Sequence, residues 1–226
     1  MPVIDADAHV IETDRTWEFM EGADARFRPH TVTLNRGGGQ GERFWLIDGK
    51  IFPRDTNVGE DVPKASREML DIEARLRHMD ELGVDVQVLY PSLFLKTLTS
   101  HPEVELALCR SYNRWLVEIW RKGEKRLSWA AIMPLLDMGE ALEEARFARD
   151  NGACALYIRA ITENRTVSDP YYFPLYEEAI RLDMPVCVHA STGSFDWDRI
   201  FEREIGFSKF KLPDGALLMV SELYVV

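Results

Sequence analysis

The sequence predicts an α/β protein with a largely parallel sheet covered on both faces, and three observations predict it. Short apolar runs recur along the chain, each followed by a stretch with helical periodicity. The runs are nearly continuous rather than alternating, as in strands buried from both sides. The strand–helix units repeat at roughly 25–40 residues, the spacing of α/β architecture.

The first run, VIDADAHV (residues 3–10), reads as a strand. Met69, Ile72, Leu76, Met79 and Leu82 then mark a helix closed by Gly83. Between them lies a long insertion, residues 11–68, with a hairpin at FWLIDGKIF and the flexible Gly37-Gly38-Gly39. An insertion of that length suits an active-site lid, and equally an oligomer arm. VDVQVLY (84–90) is the second strand. Ser100-His101-Pro102-Glu103 resembles a capping box, and Leu108, Tyr112, Trp115, Leu116 and Ile119 fall on one helical face after it. SWAAIMPLL (128–136) is the third strand; Asp137 and Glu140 open its helix and Gly152 stops it. ACALYIR (153–159) is the fourth. Asp169-Pro170 starts a helix through Phe173, Tyr176 and Ile180, and MPVCVHA (184–190) is the fifth strand. Asp196 to Ile205 reads as a further helix.

Composition bounds the function. The 226 residues carry 27 Lys and Arg against 38 Asp and Glu, a net charge of −11 that disfavours nucleic acid as a partner. No apolar run reaches the length of a membrane span, and MPVIDADAHV lacks the features of a secretory signal, so a cytoplasmic protein is expected. Cys109, Cys154 and Cys187 lie in apolar surroundings without metal or redox spacing, and are read as buried reduced thiols.

Strand alternation places Asp5, Asp7 and His9 on one face of the first strand. Ionisable groups facing a core need compensation, either a divalent cation or an Asp/His hydrogen-bond network. His189 ends the fifth strand, at the equivalent end, and makes a constellation with Asp7 and His9. Arg159 ends the fourth strand, where its planar fork suits a substrate carboxylate or a structural ion pair. Tyr90 and Ser92 flank the second strand end as candidate pocket residues, and Glu12 is a candidate supporting partner of the site. His30, His78 and His101 read as surface or cap residues.

The stretch Asp5-Ala6-Asp7-Ala8-His9-Val10-Ile11-Glu12, together with ARLRHMDELGVDVQVLYPS (74–92) and DPYYFPLYEEAIRLDMPVCVHAS (169–191), resembles the amidohydrolase-related family, which includes aminocarboxymuconate semialdehyde decarboxylase and aromatic-acid decarboxylases. The resemblance implies an incomplete (β/α)8 barrel as a single partial domain over 1–226, with about five of eight units, the 11–68 insertion and an atypical tail at 207–226. It implies Asp7, His9 and His189 as ligands of one divalent metal ion, zinc or manganese. The implied activity is hydrolysis or non-oxidative loss of CO2 from a small aromatic or enol-type carboxylic acid. Family members add a histidine after strand six and a proton-transferring aspartate after strand eight, positions that would fall beyond residue 226. The expectation is therefore a truncated chain, weakly active or inactive, or a non-catalytic metal-binding fragment. Its open sheet edges would favour self-association or completion by another chain.

Overall fold

A computed structural model describes residues 1–34, 41–54 and 62–189. The chain opens with β1 (Ile4–Val10) and passes through two 3-10 turns into an antiparallel sheet of β2 (His30–Leu34), β3 (Glu42–Ile47) and β4 (Lys50–Pro53). After the short α1 (Lys64–Arg67), helices and strands alternate: α2 (Ile72–Leu82), β5 (Val86–Pro91), α3 (Pro102–Lys122), β6 (Leu127–Ile132), α4 (Met138–Asp150) and β7 (Ala155–Arg159). A small hairpin of β8 (Ile161–Thr162) and β9 (Arg165–Thr166) precedes α5 (Phe173–Leu182) and β10 (Val186–His189). The expected helix at 196–205, Gly37 to Gly39 and the 207–226 tail lie outside the described residues.

The main sheet is parallel throughout and runs β1-β5-β6-β7-β10. Its first and last strands are four spacings apart, roughly 19 Å if the sheet were flat. Yet Asp7 Oδ1 of β1 and His189 Nε2 of β10 are 3.1 Å apart. The sheet is curled so far that its two terminal strands point side chains at each other, which is the curvature of a partly built barrel. In-register partners on parallel strands share a face, so Leu89, Trp129, Ala131 and Leu156 lie on the opposite face from His9 and His189. That outer face is buried, and so is the α3 stripe of Leu108, Tyr112, Trp115, Leu116 and Ile119 expected from the sequence.

Local chemistry explains the helix ends. The Asp71 carboxylate caps α2 by accepting from Ala74 N–H at 3.1 Å, and Asp137 does the same for α4 through Glu140 N–H at 3.1 Å. Helix α3 departs from the expected Ser100 cap. Proline at 102 occupies the first helical position and makes His101 the N-cap, with no side-chain cap bond. Thr99 Oγ1 instead accepts from His101 N–H at 3.0 Å. The third strand stops at Ile132, short of the expected Leu136. Pro134 has no N–H to continue the ladder, and the chain turns there toward the Asp137 cap.

The helix expected after Asp169-Pro170 forms, with a buried stripe of its own, while the reading of the thiols needs correction. Phe173 and Ile180 of α5 are 50% and 81% exposed, whereas Leu175 and Ala179 are buried. The buried stripe also contains Glu178, which its ion pairs with Arg146 of α4 and with Arg181 make tolerable there; an apolar-only pattern misses a stripe built around a paired acid. Among the free thiols, Cys109 is buried, but Cys187 is half-buried and Cys154 exposed. Cys187 lies on β10, which has one neighbour among the described residues, and Cys154 precedes β7.

Within the insertion, the hairpin at 44–52 forms as expected, its turn made by Asp48 and Gly49 at φ 49° and 74°. Trp17 and Trp45 meet edge to face at 5.8 Å, joining the two halves of the insertion. Ser111 Oγ of α3 donates to Thr16 O at 2.7 Å, and Asp48 accepts from the side chains of Thr99 and His101. The described part of the insertion is thus fastened to α3 and to the segment before it.

Gly83 and Gly152 both have positive φ, 68° and 84°, but a Cβ on Gly83 meets open space whereas one on Gly152 falls 2.3 Å from the Trp120 ring. Gly83→Ala is expected to cost about 1–2 kcal/mol and Gly152→Ala roughly 2–5 kcal/mol, read from urea unfolding midpoints.

Candidate metal centre

The site is set by an irregularity in β1. Asp5 pairs with Gln87 and Ala8 with Leu89, so three residues of β1 span two of β5. The extra residue is a bulge, and it reverses the facing of everything before it. Asp5 therefore lies on the helix side: its Oδ2 accepts from Gln87 Nε2 at 2.9 Å, and Gln87 Oε1 accepts from Arg75 Nε of α2 at 2.7 Å. This corrects the reading that put Asp5 on the same face as His9. Strict alternation holds only in a strand without a bulge.

Asp7 lies within that irregularity and His9 just beyond it, toward the end of the sheet where βα loops leave. Asp7, His9 and His189 each offer a ligand atom, all within 4.8 Å of one another. Asp7 Oδ1 is 3.1 Å from His189 Nε2 and 3.5 Å from His9 Nε2. Ligands bound tetrahedrally at about 2.1 Å lie roughly 3.4 Å apart, so these separations suit one shared cation. The two imidazoles meet edge to face at 5.1 Å.

His9 bears on the choice between a cation and a simple hydrogen-bond network. Its Nδ1 lies 2.8 Å from the carbonyl oxygen of Pro91, an acceptor only, so the ring proton sits on Nδ1. Nε2 then presents a lone pair to an Asp7 oxygen 3.5 Å away. Two acceptors facing each other ask for a positive centre between them. Burial, more than any other effect, pushes the His9 imidazole below its ordinary value, keeping it in the neutral form that ligates metals. The Asp7 carboxyl is held below the usual carboxylate range, chiefly by the hydrogen bond from His189 and by the charge of both imidazoles, against partial burial. Both shifts favour a ligand-ready site at neutral pH.

The other candidates distribute unevenly. Tyr90 pairs in register with His9, and its ring lies 5.7 Å from His189 and 6.4 Å from His9. Arg159 is the register partner of His189, but its Nη2 donates to buried Glu105 at 3.2 Å, the ion-pair alternative raised from the sequence. Its Nε has no partner among the described residues. Ser92 contributes through its backbone: its N–H donates to Glu12, and its hydroxyl is buried without a partner among the described residues. His30 and His101 are exposed, and His78 is half-buried on α2. Sequence reasoning missed Tyr157, whose ring stands 6.1 Å from His189 and 6.2 Å from Tyr90. Alternation along 153–159 puts it on the face of Arg159, so the signal was present.

A family model described as Amidohydrolase matches residues 4–222. The chain belongs to the amidohydrolase family. Among its family relatives, γ-resorcylate decarboxylase of Rhodococcus jostii is 31% identical over 147 residues, 59% of this chain and 44% of that enzyme. An amidohydrolase of Mycobacterium avium subsp. paratuberculosis has the same fold, with TM-score 0.65 and 22% identity over 84% of this chain and 59% of that one. A 5-carboxyvanillate decarboxylase of Novosphingobium aromaticivorans, solved with manganese and 3-methoxy-4-hydroxy-5-nitrobenzoic acid, gives 0.55 and 16% identity, covering 92% of this chain and 56% of that one. The matches to curated relatives span about two fifths of those relatives' length. No described helix is long and apolar enough to cross a membrane.

Glu12 behind the site gives a pH test. Burial raises its carboxyl from 4.5 to about 8, outweighing the Leu93 and Ser92 amides that favour the charged form. Its neutral form is thus the stabilising one: the contribution is complete below 4.5 and is lost as pH rises through about 8. Unfolding free energy of the parent, measured relative to Glu12→Gln, is expected to fall between about pH 5 and 9. A constant difference across that window would contradict it.

Proposed function

We propose that Asp7, His9 and His189 hold one divalent metal ion, zinc or manganese, and that the protein acts on a small carboxylic acid of aromatic or enol type, by non-oxidative loss of CO2 or by hydrolysis. The observation that carries the reading is the convergence of one oxygen and two imidazole nitrogens within 4.8 Å at the ends of strands from opposite edges of the sheet. An oxygen–nitrogen–nitrogen donor set suits either metal and leaves positions open for substrate. When bound, the metal supplies Lewis-acid polarisation of a substrate oxygen.

The protein's own residues do the rest. Tyr90 and Tyr157 wall the space beside the two imidazoles with aromatic surface, which favours a flat ring and excludes water. Arg159, in register with His189, brings positive charge to the same end of the sheet, and its Nε, buried without a partner among the described residues, is a candidate donor to a substrate carboxylate. Glu105 balances the rest of that charge. Ser92 takes part through the loop it anchors on Glu12 rather than through its hydroxyl. The likeness to γ-resorcylate decarboxylase favours decarboxylation of an ortho-hydroxylated benzoate.

The metal-free chain is expected to take up about one equivalent of Mn2+ or Zn2+, and Asp7→Ala and His189→Ala to weaken uptake by tenfold or more. With metal, γ-resorcylate or a related hydroxybenzoate is expected to release CO2 only slowly, followed by trapped carbonate, in keeping with a weakly active chain, and His189→Ala to lower that rate by about 10²-fold or more. Undiminished metal uptake in both variants would remove the site. Metal uptake without CO2 release or hydrolysis would leave a binding protein.

A further inference from the structure

Two hydrogen bonds on either side of the metal candidates share one peptide unit. The Pro91 carbonyl accepts from His9 Nδ1–H at 2.8 Å. The amide of that same peptide, Ser92 N–H, donates to Glu12 Oε1 at 3.1 Å. The next amide, Leu93 N–H, donates to Glu12 Oε1 and Oε2 at 3.1 and 3.0 Å. Glu12 is 2% exposed, and the hydrogen bonds it accepts here come from the Ser92 and Leu93 amides, not from Asp7, His9 or His189.

We propose that Glu12 is a positioning residue for the metal ligand His9, acting through the Pro91–Ser92 peptide. The inference rests on the reading of Asp7, His9 and His189 as metal ligands. Metal-bound histidines commonly donate their second ring N–H to a carboxylate or a carbonyl, which fixes tautomer and ring orientation. Here a carbonyl receives the proton, and the carboxyl grips the far side of the same peptide. Donation from the amide to Glu12 polarises the peptide and strengthens its carbonyl as an acceptor. It also sets the direction in which that carbonyl points. The carbonyl in turn holds the proton of His9 on Nδ1 and aims Nε2 at Asp7 and His189. Glu12 is three residues beyond His9 in the sequence, so β1 delivers both the ligand and the group that orients it. A purely structural role, tying down the loop after β5, uses the same hydrogen bonds but makes no demand on His9.

The test is Zn2+ affinity of the metal-free full chain, titrated against a chromophoric chelator, in the parent, Glu12→Ala, Glu12→Gln, His189→Ala and the distant core variant Leu116→Ala. Glu12→Ala is expected to bind about 10–100-fold more weakly. Glu12→Gln, which keeps an acceptor oxygen for the two amides, is expected to stay within about threefold of the parent, and Leu116→Ala likewise. Parental affinity in Glu12→Ala, equal losses in the Gln and Ala variants, or an equal loss in Leu116→Ala would each overturn the proposal. A parent that takes up no Zn2+, or His189→Ala binding as tightly as the parent, would overturn the metal reading beneath it. Long-range proton–nitrogen NMR of the metal-free parent tests the relay even where Glu12→Ala does not fold. His9 protonated on Nδ1 is the expected pattern; a proton on Nε2 would overturn the proposal.

Discussion

The structure turns on the meeting of three ligand atoms from strands that are not neighbours. Asp7 and His9 belong to one terminal strand of the sheet and His189 to the other, so the site exists only because the sheet curls. Curl comes from strand twist and helix cover, which the apolar outer face and the helices against it provide. The site in turn exposes an acid and an imidazole lone pair to each other, an arrangement that costs free energy unless a cation lies between them. Core and chemistry are therefore one constraint: the helices bend the sheet, and the bent sheet brings the charges together.

How this was legible in the sequence follows from which signals are local. Strand–helix alternation, the α3 stripe and the Asp137 cap depend on neighbouring residues, and each is visible in the order of amino acids. So were Asp7, His9 and His189 as a set, through their positions at equivalent strand ends. What escaped depends on pairing between distant segments. The β1 bulge is a matter of register with β5, and it removed Asp5 from the face that alternation assigned to it. The ion pair raised as one alternative for Arg159 has no visible partner in the sequence until Glu105, 54 residues away, is placed against it. The Pro91 carbonyl that orients His9 is a backbone group, and no residue type announces it.

The supporting residues show how a strand end becomes a site. The bulge separates a structural network, Asp5–Gln87–Arg75, from the candidate ligands Asp7 and His9. Three residues after His9, Glu12 reaches over to the end of β5 and fixes the loop that carries the Pro91 carbonyl. Tyr90 and Tyr157 complete one wall. A stretch of eight residues, Asp5 to Glu12, thus supplies a helix-side anchor, two candidate ligands and a buried clamp. The insertion that follows is pinned to α3 through Thr16 and to the segment before α3 through Asp48.

The most direct measurement is an anomalous-scattering map at the zinc edge from crystals of the full chain grown with Zn2+. The account predicts a single strong peak at about 2.0–2.2 Å from His9 Nε2, a ring nitrogen of His189 and an oxygen of Asp7. A map with no peak between these side chains, or a His189 imidazole turned away from Asp7, would contradict it.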